Sequence, residues 1–232
     1  MDRLELDTFV TDWDGVIMDS FPAVIQTYVP LFRELTGREL DTEWFARVYS
    51  ADPKKNLETL GIPLSDLPRA MEIFFEHFPM LCRECKPFDG VKRVLEGLAI
   101  YFPKIGICSY GKRKDIECLL RNHDLGRFFQ AIVGFEDLTD KDENGVPLGK
   151  PHPQCLQLAL QRLGSVPEKT AYVGDAQIDY EVGKRVGVRL VGLCTYGRFE
   201  REGDLRALGA DMYFENPEKL LQLGEFRARS VD

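Results

Sequence analysis

No apolar run in the 232 residues approaches 18, the length a membrane-crossing helix requires. Met1 to Asp7 carries three acidic residues and lacks the apolar stretch of a secretory signal, so the cytoplasm is the expected location. Basic residues are in deficit: Lys+Arg is 30 against 38 Asp+Glu, a net charge of −8. A chain of that sign has no overall attraction for nucleic acid or anionic lipid, and any anionic substrate needs local cations. Histidine occurs three times. Neither His77 nor His123 completes a zinc set with Cys82-x-x-Cys85, whose place suits packing or a hinge. The six cysteines (82, 85, 108, 118, 155 and 194) read as buried or free thiols. Low complexity and internal repeats are missing. With 44% hydrophobic and 29% charged residues, the mix is that of a globular protein. The length suits one large domain, or one domain with an insert.

The hydrophobic rhythm divides the chain. Thr8-Phe9-Val10-Thr11 is a buried strand that stops at Asp12. Ser20 is placed to cap a helix with Pro22 in its first turn and Gly37 at its end. Pro30 lies inside it and predicts a kink or break. Helical patterns continue from Asp41 through Trp44, Phe45 and Val48, and from Pro53 to Gly61. A third carries Met71, Ile73, Phe74, Phe75 and Phe78. After Cys85, strand and helix alternate. Strands are predicted at 105–108, 131–134, 170–173, 190–193 and 212–214. Helices are predicted at 90–98, 112–122, 152–163, 176–186 and 217–223. This is α/β: a Rossmann-like parallel sheet with helices on both faces, plus an inserted all-helical domain. The core is placed at 1–18 and 86–232, the insert at 19–85. The acidic loop from Asp137 to Glu143 reads as a solvated excursion, and Asn144-Gly145 as a hairpin turn.

Ligands of open parallel sheets sit at the carboxyl ends of strands. The first strand delivers Asp12-Trp13-Asp14-Gly15, and the strand ending at Cys108 delivers Ser109-Tyr110-Gly111. The strand ending at Val173 delivers Gly174-Asp175, with Asp179 one helical turn on. Lys150 precedes the helix opened by Pro151-His152-Pro153. Four carboxylates facing one lysine repel one another unless a proton or a cation joins them. Hard oxygen ligands suit Mg²⁺, and a hydroxyl, free N–H groups and a lysine suit a phosphate. The set therefore points to metal-assisted phosphoryl chemistry.

Asp12-Trp13-Asp14-Gly15-Val16, Ser109, Lys150-Pro151-His152-Pro153 and Gly174-Asp175-x-x-x-Asp179 together resemble the four ordered motifs of the haloacid dehalogenase superfamily. Asp-x-Asp-Gly alone also occurs in calcium loops, but those need a later glutamate that is missing here. Taken singly, the same residues read as strand-end turns, helix caps and a surface lysine; four motifs in order outweigh that. The helical insert resembles the type 1 cap of phosphoglycolate-phosphatase-like members.

The resemblance implies Asp12 as nucleophile, with an aspartyl-phosphate intermediate, and Asp14 as general acid and then base. It implies Mg²⁺ at Asp12, the Asp14 backbone carbonyl and Asp175, with Asp179 orienting a metal water or Lys150. Ser109, the Tyr110 N–H, Gly111 and Lys150 would hold the phosphate. The substrate would be a small phosphorylated metabolite, of the phosphoglycolate or sugar phosphate class. An aspartate at position 14 favours phosphate monoesters over the dehalogenases and phosphonate-cleaving members. A sugar phosphomutase and a non-catalytic phosphate-binding regulator remain alternatives. Tyr110 replaces a frequent Asn and Trp13 a smaller apolar residue; Trp13 is assigned to packing. Lys54, Lys55 and Arg47 in the cap, beside Asn56, and Lys112, Arg113 and Lys114 after the second motif, are candidate cations for an anionic substrate. Oligomeric state is not legible in the sequence.

Overall fold

β1, Thr8–Thr11, is buried along its whole length and lies at the centre of the sheet. The computed structural model describes residues 6–143 and 145–224. Five more strands follow: β2 Lys104–Cys108, β3 Ala131–Val133, β4 Thr170–Gly174, β5 Leu190–Cys194 and β6 Met212–Phe214. They form one parallel sheet in the order β3-β2-β1-β4-β5-β6. Continuous burial of β4 and β5 is what helices on both faces require.

Alternate residues of β1 supply the two faces. Phe9 packs with Leu95 and Leu98 of α5 (Val91–Tyr101) and with Leu119 of α6 (Arg113–Asn122). Val10 packs with Leu156 and Ala159 of α7 (Gln154–Leu163) and with Val182 of α8 (Gln177–Val186). A further helix, α9, Glu202–Ala207, is absent from the sequence reading: it has one buried apolar residue, Leu205, too few for a visible period. The closing segment forms a short 3-10 turn at Pro217–Leu221 rather than a full helix start.

Four cap helices stand between β1 and α5 in the chain: α1 Phe21–Thr36, α2 Thr42–Val48, α3 Pro53–Leu60 and α4 Leu67–Cys82. Asp41 and Asp52 cap α2 and α3, accepting from the Trp44 and Lys54 N–H groups. Pro30 does not break α1, which continues to Thr36. One missing hydrogen bond is outweighed by packing along α4, where Tyr28 and Leu31 join Ala70, Ile73 and Phe78 in the core. Ser20 precedes α1 but its side chain does not cap it. The two linkers between cap and sheet pair with each other: Asp19 donates to the Lys86 carbonyl at 3.0 Å, and Phe88 to the Ile17 carbonyl at 3.1 Å.

The acidic loop is solvated only in part: Asp140, Lys141 and Glu143 are exposed, whereas Asp137 and Asp142 are paired. Asp137 bonds the Arg162 guanidinium at 2.7 Å and accepts from the Gly134 N–H, and Asp142 meets Lys54 of the cap at 3.5 Å. A charged loop next to basic partners neutralises itself and becomes ordered. Lys141 and Pro147 bridge as a hairpin; Asn144 lies outside the described residues, as do residues 1–5 with most of the expected signal-free start. No helix of the described residues is long and apolar enough to cross a membrane.

Candidate active site

The sheet order reverses at β1: the chain runs outward through β2 and β3 on one side and β4, β5 and β6 on the other. A crevice opens where neighbouring connections depart in opposite directions, at the carboxyl ends of β1 and β4. Thr11 pairs with Val173, and the Asp12 N–H bonds the Val173 carbonyl at 2.8 Å. Asp12 and Asp175 thus leave adjacent strands side by side.

Asp12, Asp175 and Asp179 bring carboxylate oxygens within 4.8 Å of one another. All three are buried, as is Lys150 at 4% exposure. The Lys150 Nζ stands 2.7 Å from Asp12 Oδ2 and 2.7 Å from Asp179 Oδ1. Asp179 is held from every side. Its Oδ1 also accepts from the Tyr172 hydroxyl at 2.7 Å, and its Oδ2 from the Asp175 and Ala176 N–H groups at 3.2 and 3.1 Å. Those N–H groups lie at the start of α8, where the helix dipole favours an anion. Asp12 Oδ1 accepts from the Trp13 N–H at 2.7 Å.

One ammonium does not balance three buried carboxylates. Burial foremost, with Asp179 and Asp14 adding to it, pushes the Asp12 carboxyl up to about 7 against the opposing pull of Lys150. Burial, Asp179 and Asp12 push the Asp175 carboxyl well above the usual range. Burial works against the Lys150 ammonium too, but Asp12 and Asp179 outweigh it and hold the lysine firmly charged. Asp175 Oδ2 is buried with no hydrogen-bond partner. A buried, unpartnered carboxylate oxygen in an over-negative cluster is what a divalent cation relieves. The residues present fit a hard cation such as Mg²⁺.

Asp14 stands apart from that cluster. Its Oδ1 accepts from the Ser20 hydroxyl at 2.5 Å. Burial raises its carboxyl, and the Ser20 bond opposes the rise. Ser109 is buried at the end of β2, and its Oγ accepts from the Gly111 N–H at 3.0 Å. Gly111 faces Asp14: a Cβ there would lie 3.8 Å from Asp14 Oδ2. Tyr110, Gly111, Lys150, Asp12 and Asp14 line one cavity roofed by cap helices. All eight candidate residues are therefore gathered at one end of the sheet. Trp13 is 2% exposed and does not line that cavity; it packs in the core.

Three contributions were missed. Ser20 read as a helix cap, and its partner lies six residues back across a turn. Tyr172 read only as a strand residue. The loop after β5 brings Gly197 against Asp175, where a Cβ would come 2.1 Å from Oδ2. Its Phe199 lines the cavity. The strand-end rule, applied to β5 as to β1, β2 and β4, would have found that loop. None of the candidate cations lines the cavity: Lys112 sits over the Phe75 ring at 4.7 Å and Arg113 pairs with Asp137 at 3.3 Å, while the neutral Asn56 bonds Ser50 and Tyr28. The six cysteines are free thiols, and the His123 Nε2 meets the Cys85 carbonyl at 3.2 Å.

The sequence model of the haloacid dehalogenase-like hydrolases matches residues 9–193. The chain belongs to this family. Curated relatives carry one activity in their names. A phosphoglycolate phosphatase of Salmonella paratyphi A is 38% identical over 210 residues, covering 80% of each chain. One of Colwellia psychrerythraea is 26% identical over 227 residues, covering 94% of this chain and 96% of its own. Solved structures share the fold. A haloacid dehalogenase-like family hydrolase from Streptococcus pneumoniae has a TM-score of 0.76 at 18% identity, over 96% of this chain and 99% of its own. A hydrolase from Pseudomonas syringae has a TM-score of 0.74 at 21% identity, over 93% and 96%. This haloacid dehalogenase-like hydrolase is an enzyme of the phosphatase class. In it, the matched span 9–193 contains every residue of the buried cluster.

Proposed function

We propose that this hydrolase cleaves small phosphomonoesters through an aspartyl-phosphate on Asp12, with a divalent cation, Mg²⁺ by its donor chemistry. The observation that carries the reading is the Asp12–Lys150–Asp179 chain of 2.7 Å contacts beside the unpartnered Asp175 Oδ2. Asp12 and Asp175, with the Asp14 backbone carbonyl, would hold the ion, Asp179 standing behind Lys150; bound there it would neutralise the cluster and polarise the phosphoryl group.

Asp12 attacks phosphorus as a carboxylate; Lys150 favours the ionised form against the effect of burial, and a bound cation would complete that. The bond to the leaving oxygen breaks as the new P–O bond forms. Asp14 gives its proton to the departing alcohol, then takes one from the water that hydrolyses the acyl phosphate. Its raised carboxyl suits the first role, and the Ser20 bond fixes its direction. The Ser109 hydroxyl, the N–H groups of the 109–111 turn and the Lys150 ammonium stabilise charge spread over the phosphoryl oxygens.

The core spans 1–18 and 86–232 in this reading, and the cap 19–85; the paired linkers at Ile17–Asp19 and Lys86–Phe88 support a hinge there. Free thiols suit a cytoplasmic enzyme. The phosphoglycolate of the relatives' names and the sugar phosphates form the natural first panel. Phosphate release from that panel, with Mg²⁺ and with chelator, tests the reading. Metal-dependent release is expected. A folded protein that releases phosphate from no member, or releases it equally in chelator, overturns it.

A further inference from the structure

The cavity above Asp12 is charged only at its floor. Its charged lining groups are Asp12, Asp14 and Lys150. Lys150 is already committed to Asp12 and Asp179. Above that floor the walls come mainly from the cap, with Tyr110, Ile178 and Phe199 of the core, and they are largely apolar and aromatic. Tyr28, Tyr49, Phe74, Phe78 and Met71 are the side chains that matter. The rings brace one another. Tyr28 and Tyr49 stand 5.9 Å apart edge to face, Phe74 and Phe78 are stacked at 5.1 Å, and Tyr49 meets Phe199 at 5.8 Å. This wall is preformed rather than adaptable.

Among the described residues, no lysine or arginine of the cap lines this cavity. Lys54 pairs with Asp142. Lys54 and Arg185 line a neighbouring cleft that shares Tyr110 and Lys150 with this one. Arg185 bonds the Pro151 carbonyl at 3.0 Å and Glu181 at 3.3 Å.

A second anionic group on the substrate, such as the carboxylate of glycolate, would be stripped of water against these rings. Among the described residues lining the cavity it would meet no cation besides Lys150, which is already paired. An unpaired charge in such surroundings is strongly disfavoured. Phenol hydroxyls of Tyr28 and Tyr49 are the only polar handles these five walls offer. Burial holds both phenols neutral, Tyr49 also under the influence of Tyr28 and Asp14.

We infer that the leaving group accepted here is uncharged and largely apolar, an aromatic or alkyl alcohol, and that the cap discriminates against phosphomonoesters bearing a second anion. This deepens the phosphatase reading and rests on it.

The test compares benzyl phosphate with 4-carboxybenzyl phosphate, and both with phosphoglycolate, under Mg²⁺. The first two have leaving alcohols of similar reactivity and differ chiefly in charge. We expect kcat/KM for benzyl phosphate to exceed that for the carboxylated analogue by at least about tenfold, and phosphoglycolate to rank below benzyl phosphate. Met71→Arg, which puts a flexible cation at a half-buried position of the wall, should narrow the benzyl to carboxybenzyl ratio by about tenfold. Equal or better turnover of 4-carboxybenzyl phosphate or phosphoglycolate by the wild type overturns this inference and leaves the phosphatase reading standing. No metal-dependent release from any of the three, or from the wider panel, removes both. An unchanged ratio in folded Met71→Arg removes the wall as its cause.

Discussion

The Ser20 hydroxyl donates to Asp14 Oδ1 at 2.5 Å, tying the segment that leads into α1 to the carboxylate that faces the cavity. Ser20 is fully buried and gives α1 no side-chain cap, so this bond is the visible use of its hydroxyl. Asp19 beside it is clamped by Arg198 of the loop after β5, at 2.5 and 2.7 Å. The segment where the cap departs thus also aims the carboxylate proposed as proton donor.

Ser20→Ala should lower kcat more than it raises KM. A hydrogen bond to a charged group contributes about 1.5–3 kcal/mol, or roughly 10- to 100-fold in rate if all of it acts in the transition state. Without the Ser20 bond, burial raises the Asp14 carboxyl further, so the limb of the pH–rate profile that reports its ionisation moves to higher pH. Ser20→Thr should restore most of the rate. A pH profile identical to wild type in Ser20→Ala would exclude this positioning role.

Asp12→Asn should abolish turnover, by at least about a thousandfold, while the protein stays folded. The amide removes the nucleophile yet keeps the shape, and Lys150 retains Asp179. Steady-state rates and a thermal melt together decide it. A variant with wild-type-like kcat would end the nucleophile assignment.

Gly15→Ala should damage the cation site. Gly15 has φ +75°, and a Cβ there would lie 1.9 Å from Asp175 Oδ2. The left-handed backbone alone costs a non-glycine residue about 1–2 kcal/mol, and Asp175 must move besides. Weaker Mg²⁺ dependence, read as a rise in the metal concentration for half-maximal activity, is the expected outcome. Unchanged metal dependence with unchanged melting would contradict the placement of Asp175.

In chelator, stability should fall as pH rises from about 4 to above 7. The folded Asp12 carboxyl titrates near about 7 and the unfolded one near 3.8. The folded state therefore holds its proton longer, and the associated stability is fully present below pH 3.8 and lost as pH climbs through 7. Asp175 acts in the same direction. A cation replaces those protons, so the rise in Tm on adding Mg²⁺ should grow between pH 5 and pH 8. An equal Mg²⁺ effect at both values would mean that the cluster is not the binding site.

The sequence by itself determined much of this enzyme. β1, α7 and β4 follow from local apolar periodicity, and Asp12, Ser109, Lys150 and Asp175 from lying at strand ends or helix starts, which are local properties of the chain. Family membership rests on those same ordered motifs, matched across residues 9–193. Only the tertiary structure decided where the other partners stand. Ser20 reached Asp14, the Tyr172 hydroxyl reached Asp179, and the Gly197 turn closed on Asp175 because strand pairing and linker geometry bring them there. Asp137 and Asp142 of the acidic loop are paired rather than solvated because Arg162 and Lys54, distant in sequence, arrive beside them. The apolar wall over Asp12 was visible only as aromatic residues at helical spacing, which serve a core equally well. Which ring faces a cavity and which is packed away depends on how α1 and α4 lie against each other above the strand ends, a contact between segments that no local pattern encodes.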